Sequence, residues 1–171
     1  MTDTEIRIEA PLATRIAAAV QRFGEDGVVT RAVGLLHARN EGDDVLLYLG
    51  GRHARGILDG APALYWPEVW GARALLHVWD DSAASAVLDG VANQAWRVRE
   101  MCLKVCAVRK LGDAAGLTHR LTDENARVRA AAAHALAAVG GVDDRALLEP
   151  LLRDPDKEVR RAAGEALKAL G

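Results

Sequence analysis

Asp123-Glu-Asn-Ala-Arg-Val-Arg-Ala-Ala-Ala-Ala-His-Ala-Leu-Ala-Ala-Val-Gly140 and Asp154-Pro-Asp-Lys-Glu-Val-Arg-Arg-Ala-Ala-Gly-Glu-Ala-Leu-Lys-Ala-Leu-Gly171 are one pattern written twice. Asp123 falls on Asp154, Val128-Arg129 on Val159-Arg160, Leu136 on Leu167 and Gly140 on Gly171, each at an offset of 31 residues. The segments ahead of them repeat too, with Leu117 and Leu121 falling on Leu148 and Leu152. One step upstream, Asn93-Gln-Ala-Trp-Arg-Val98-Arg99 falls on Asp123 to Arg129 at an offset of 30, and its helix is expected to run about two residues longer, to Leu111-Gly112. A further echo joins Leu58-Asp59-Gly60 and Trp66 to Leu88-Asp89-Gly90 and Trp96, before the register slips by one residue. A fixed period of this length is the mark of a repeat architecture.

Within each unit the periodicity is helical. Val128, Ala131, Ala132, Ala135, Leu136 and Val139 form one stripe of a 3.6-residue helix. Asp123 and Asp154 stand where a helix-turn-helix needs a turn residue, and Gly140 is expected to supply a left-handed stop. A single helix pair cannot bury its apolar stripe alone, whereas stacking on a neighbour buries it.

Asp-x-x-x-x-Val-Arg followed by small residues, Leu and a terminal Gly resembles the HEAT repeat, and in particular the short bacterial form named after phycobilisome lyases. The resemblance implies an all-α fold, an α-α superhelix of about four to five antiparallel helix pairs in a single domain over residues 1–171. Residues 81–112, 113–141 and 142–171 are its clear repeats, 51–80 a weak one, and 1–50 a degenerate repeat or N-terminal cap. Within that last stretch, Leu12, Ile16, Val20 and Phe23 mark an amphipathic helix between Pro11 and Gly24. Val28 to Arg39 and Asp43 to Leu49 read as a degenerate pair.

Composition agrees. Half the residues are hydrophobic, which excludes a disordered chain, while only 4% are aromatic, which argues against a sheet sandwich. Much of the excess is alanine, a strong helix former. The formal net charge of −2 lacks the basic balance of a dedicated nucleic-acid binder. Met1–Glu5 opens no basic-then-apolar signal, and no apolar run reaches membrane-spanning length, so the expected location is cytoplasmic. Arginine and alanine in excess read as a bacterial, GC-rich source.

Candidate residues fall into four groups. Arg99, Arg129 and Arg160 read as a ladder that pairs with turn aspartates of its own or the next unit, rather than as a phosphate grip. Cys102 and Cys106, four apart on a helix, occupy core positions, and no second pair completes a metal site. All four tryptophans lie between residues 66 and 96. On a helix, Trp70, Arg73, His77 and Asp81 share a face, and Arg73 and His77 take the core slots that Cys102 and Cys106 hold one unit later. Polar residues at core positions point to function or to internal hydrogen bonding. Trp66, Trp70 and Trp96 would be aromatic anchors, oriented by Arg73, His77 and Glu100, or else they fill the core, and Arg97 is a further partner-binding candidate. The fourth group is the outward face of the later helices, where Glu100, Lys104, Arg127, His134, Glu158, Arg161, Glu165 and Lys168 alternate in sign. The apolar residues Val159, Ala163 and Leu170 are a possible dimer surface at the last helix.

No nucleophile elbow, phosphate loop or zinc-protease motif is present in the sequence, and the pattern implies no catalytic residue, cofactor or metal. The expectation is a non-catalytic interaction module, an adaptor or regulatory subunit that binds a protein or peptide. Two alternatives follow from resemblance. One is an alkylpurine DNA glycosylase of the HEAT-like kind, which works with tryptophans, a carboxylate and basic residues. The other is binding of a planar small molecule, as in the bilin lyases.

Overall fold

The computed structural model describes residues 6–171, so the signal-peptide reading of Met1–Glu5 lies outside the described residues. Among the described residues the chain is helical throughout and no strand occurs. It divides into two compact units, residues 1–86 and 87–171, with the division inside α6 (Ala84–Gly90).

The first unit holds α1 (Leu12–Phe23), α2 (Glu25–Leu36), α3 (Asp43–Gly50), α4 (Arg52–Leu58) and α5 (Trp66–Ala74). α1 begins after Pro11, whose fixed φ suits a helix start, and stops at Gly24, whose φ of 74° few other residues adopt readily. α2 packs on α5 and α1 packs on α3. The α2–α5 approach is close enough that a Cβ on Gly71 would stand 2.4 Å from the Ala32 carbonyl oxygen. The core here is Val28, Val29, Leu35, Leu49, Val69, Trp70 and Leu75.

The second unit is built on three helices of 14 residues, α7 (Trp96–Arg109), α9 (Ala126–Val139) and α11 (Lys157–Leu170). α7 packs on α9 and α9 on α11. α8 (Ala114–Thr118) and the tight turn after it, His119–Thr122, lie against α9. α10 (Arg145–Leu148) and the turn Glu149–Arg153 lie against α11. Each short helix and its partner are thus the two halves of one repeat. The apolar stripe read from the sequence is the buried one: Val98, Val128 and Val159 are fully enclosed, as are Cys102, Cys106, Ala132, Leu136 and Ala163. Asn125 and Asp156 cap α9 and α11 by accepting backbone N–H groups.

Four local readings change. The first long helix does not run further than its successors, because Lys110 turns into the left-handed region at φ 55° and ends α7 after Arg109. Gly140 is not a left-handed stop, since its backbone is extended at φ −83°, ψ 178°. Glycine is needed there because a Cβ would come within 2.8 Å of the Leu136 carbonyl oxygen and 2.9 Å of Asp144 Oδ2. Val159 and Ala163 are buried within the unit, so they offer no surface to a second copy. Finally, α5 ends at Ala74 and the chain continues in turns, which removes His77 from the helix.

Candidate functional site

The arginine ladder is structural. Arg99 Nε and Nη2 donate to Asp123 Oδ2 and Oδ1, both at 2.9 Å, while its Nη1 donates to the carbonyls of Asn93 and Gln94. Arg129 repeats this one unit on, with Asp154 as acceptor. Planar guanidinium and carboxylate match as two parallel bonds. Burial alone would raise the Asp123 carboxyl, but hydrogen bonds from Arg99, Asn125 and Arg120 outweigh it and hold the group below the usual carboxylate range. Arg99 and Arg129 thus lock one repeat to the next and leave no fork for a phosphate, whereas Arg160 reaches only the carbonyls of Asp154 and Pro155.

The tryptophan segment divides between the two units. In the first, Trp66 is the first residue of α5 and is half-buried, and Trp70 is 2% exposed. The His53 ring stands edge-on to both, with centroids 4.6 Å from Trp66 and 5.3 Å from Trp70. His53 escaped the sequence reading because it lies on α4, a loop away from α5, with no repeat register tying the two. Arg73 does fill an inward position, where Nη2 donates to the Leu49 carbonyl oxygen at 2.8 Å. Arg15 Nε donates to the adjacent Tyr48 carbonyl oxygen at 2.9 Å. Two guanidinium groups therefore cap the carbonyl end of α3, where helix dipole and unpaired oxygens favour cations. Burial, and then the nearness of Arg15, pushes the Arg73 pKa down. His77 is exposed in the turn beyond α5 and does not join Trp70 and Arg73 on one helix face.

In the second unit five candidate residues come together. Trp96 opens α7 and is half-buried. The Arg97 guanidinium lies over its ring at 4.2 Å and that of Arg127, from α9, at 5.7 Å. Arg127 Nε also donates to Glu100 Oε1 at 3.0 Å, and Lys104 Nζ donates to the same oxygen at 2.8 Å. Glu100 is 6% exposed and so is not the solvated residue that the alternating charge pattern suggested. A helix-borne carboxylate thus draws Lys104 from one turn away and Arg127 from the neighbouring helix, and Arg127 in turn covers the indole. Lys104 and Arg127 thus share this one carboxylate. His134 and Arg161 lie further along. His134 Nε2 is 3.7 Å from Glu165 on α11, and Arg161 pairs with Glu158 on its own helix at 2.6 Å. Both are exposed, and each faces a carboxylate.

Cys102 and Cys106 are fully buried. No group of three or more metal-ligating side chains occurs among the described residues. No helix among them is long and apolar enough to cross a membrane.

No curated protein matches this chain. Residues 84–168 match the family model for HEAT repeats, and this part of the chain, with α7, α9 and α11 at its centre, is a HEAT-repeat region.

Proposed function

We propose that the chain is a non-catalytic interaction module whose second unit binds a protein or peptide across the face of α7 and α9. The observation that carries this reading is the Trp96 cluster. A half-buried indole with guanidinium groups over its ring, beside an ordered Lys104, is a flat apolar anchor framed by donors. Tryptophan and arginine are the residue types that dominate binding at protein interfaces. With Lys104 and Arg127 sharing a single carboxylate, the face suits a partner segment that presents carboxylates beside an apolar residue. HEAT repeats commonly serve as interaction scaffolds, which supports the same reading. As an adaptor of this kind the protein would act in the bacterial cytoplasm.

The test is affinity capture from the source lysate with wild-type protein and with Trp96→Ala and Arg127→Glu variants, all shown to be folded by circular dichroism. A stoichiometric partner held by the wild type and lost from both variants supports the reading. A partner retained equally by all three, or none at all under mild conditions, overturns it.

The same basic residues favour one second reading, a DNA-binding enzyme. It requires duplex binding that weakens steeply with salt. The buried, doubly paired Glu100 is poorly placed as a catalytic carboxylate in that scheme.

A further inference from the structure

The first unit carries a cleft of about 380 Å³, within the size range of ligand and side-chain pockets. Leu46, Leu58, Leu64 and Pro67 give it apolar walls, and Glu41, Asp43 and Glu68 stand on it against a single arginine, Arg39. Arg39 is already opposed by Glu41 at 3.7 Å. Glu41 is itself fixed: its carboxyl lies over Gly34, where an added Cβ would stand 1.7 Å from Oε1. Three carboxylates against one guanidinium leave two negative charges. Asp43 and Glu68 have no ion-pair partner among the described residues, although their place in the first turns of α3 and α5 suits the helix dipoles. Leu64, at 69% exposed, is the most exposed large hydrophobic side chain among the described residues, and it is held out by a left-handed backbone at φ 48°. An aliphatic side chain in that position adds nothing to the core and gains by being covered.

We infer that this cleft docks a short cationic and apolar peptide segment. An aliphatic side chain of the partner enters between Leu46, Leu58 and Leu64, and a neighbouring lysine or arginine meets Asp43 and Glu68. The charge balance selects the occupant, because an acidic or neutral apolar segment would leave both carboxylates desolvated without a counter-ion. This site lies in the first unit and does not depend on the Trp96 cluster.

The experiment titrates ¹⁵N-labelled protein with three capped peptides, acetyl-Leu-Arg-Leu-Lys-amide, its Gln/Gln analogue and its Glu/Glu analogue. The basic peptide is expected to shift the amides of Leu46, Leu64 and Glu68 saturably, the neutral one weakly and the acidic one not at all. Asp43→Asn with Glu68→Gln should lower the affinity for the basic peptide about fivefold, the effect of two exposed ion pairs. Leu64→Ala, at an exposed position where folding is not at stake, should weaken all binding. Failure of the basic peptide to bind, equal binding of the neutral one, shifts confined to other parts of the chain, or wild-type affinity in the doubly neutralised variant each overturns the proposal.

Discussion

Arg129 grips Asp154 through two parallel hydrogen bonds, Nε to Oδ2 at 2.8 Å and Nη2 to Oδ1 at 2.9 Å, while its Nη1 reaches back to the Asp123 carbonyl oxygen. Arg99 makes the same set with Asp123 one unit earlier, more deeply enclosed, with side chains 7% and 2% exposed against 16% and 9% for the later pair. Arg160 keeps only the carbonyl contacts, to Asp154 and Pro155, and is exposed. One motif therefore occurs at three depths. Asp123→Ala, which leaves the Arg99 charge buried, should cost about 3–5 kcal/mol, whereas Arg160→Ala should cost less than ~1 kcal/mol. Asp154→Ala should fall between them. Urea denaturation of the three variants measures the order, and equal losses would contradict a depth-graded ladder.

The same pairs set a pH dependence. The Asp154 carboxyl is held below the ordinary range, chiefly by the Arg129 hydrogen bonds against the opposing effect of burial, and Asp123 is held low as described above. A carboxylate whose folded pKa is depressed binds fewer protons in the folded state. Its contribution is complete above the unfolded value, about 3.9, and disappears as pH falls through the folded one. Stability should thus hold near neutrality and decline below about pH 4. Asp123→Asn with Asp154→Asn should be less stable at pH 7 and lose less on acidification. Thermal melts from pH 7 to 2 check this.

The repeat offsets made the second unit readable from the sequence, because each unit buries the same stripe. Val98, Val128 and Val159 are buried where periodicity placed them, and Arg99 and Arg129 pair with turn aspartates as read, while Arg160 does not. The first unit was less open to this kind of reading. Leu12–Phe23 was bounded by its own Pro11 and Gly24, but the offset that placed His77 in a core slot assumed that α5 continues as α7 does. It stops at Ala74, and the Arg73 side chain is used on the end of α3 instead. Glu100 misled in the opposite sense. Helical phase placed it outward, yet Lys104 and Arg127 close over it, a contact between neighbouring helices that a one-dimensional pattern does not carry.

Burial pushes the Cys102 thiol up strongly, and it raises Cys106 to about 11. Both thiols are therefore protonated at pH 8, and only thiolate attacks disulfide reagents. Native protein should release almost no thionitrobenzoate from Ellman's reagent, and denatured protein two equivalents. Rapid labelling of the native state would show that the α7–α9 packing opens readily.

Trp70 is enclosed, whereas Trp66, Trp79 and Trp96 are half-buried. Acrylamide should quench part of the tryptophan emission and leave a shielded, blue-shifted component, which Trp70→Phe removes. Trp70→Ala should cost about 3–5 kcal/mol, the range for emptying a core aromatic site. Trp96→Ala should cost about 1–2 kcal/mol, because only part of its surface is covered. If the two substitutions were equally destabilising, Trp96 would be a core residue and the binding face would lose its anchor.

Lys110 closes α7 with φ 55° and ψ 53°, and the next residue, Leu111, returns a hydrogen bond from its N–H to the Cys106 carbonyl oxygen at 3.0 Å. This is the left-handed helix stop that glycine fills most easily, and a side chain there is strained by contact between its Cβ and the backbone. Lys110→Gly removes that strain but also a cation that favours the helix end by a few tenths of a kcal/mol. Lys110→Ala removes the same cation and keeps the Cβ. The difference between the two variants therefore isolates the backbone, and glycine should be the more stable by about 0.5–1 kcal/mol. Paired urea titrations measure it. An alanine variant as stable as the glycine variant would mean that α7 frays before Lys110 in solution, with the left-handed turn not held.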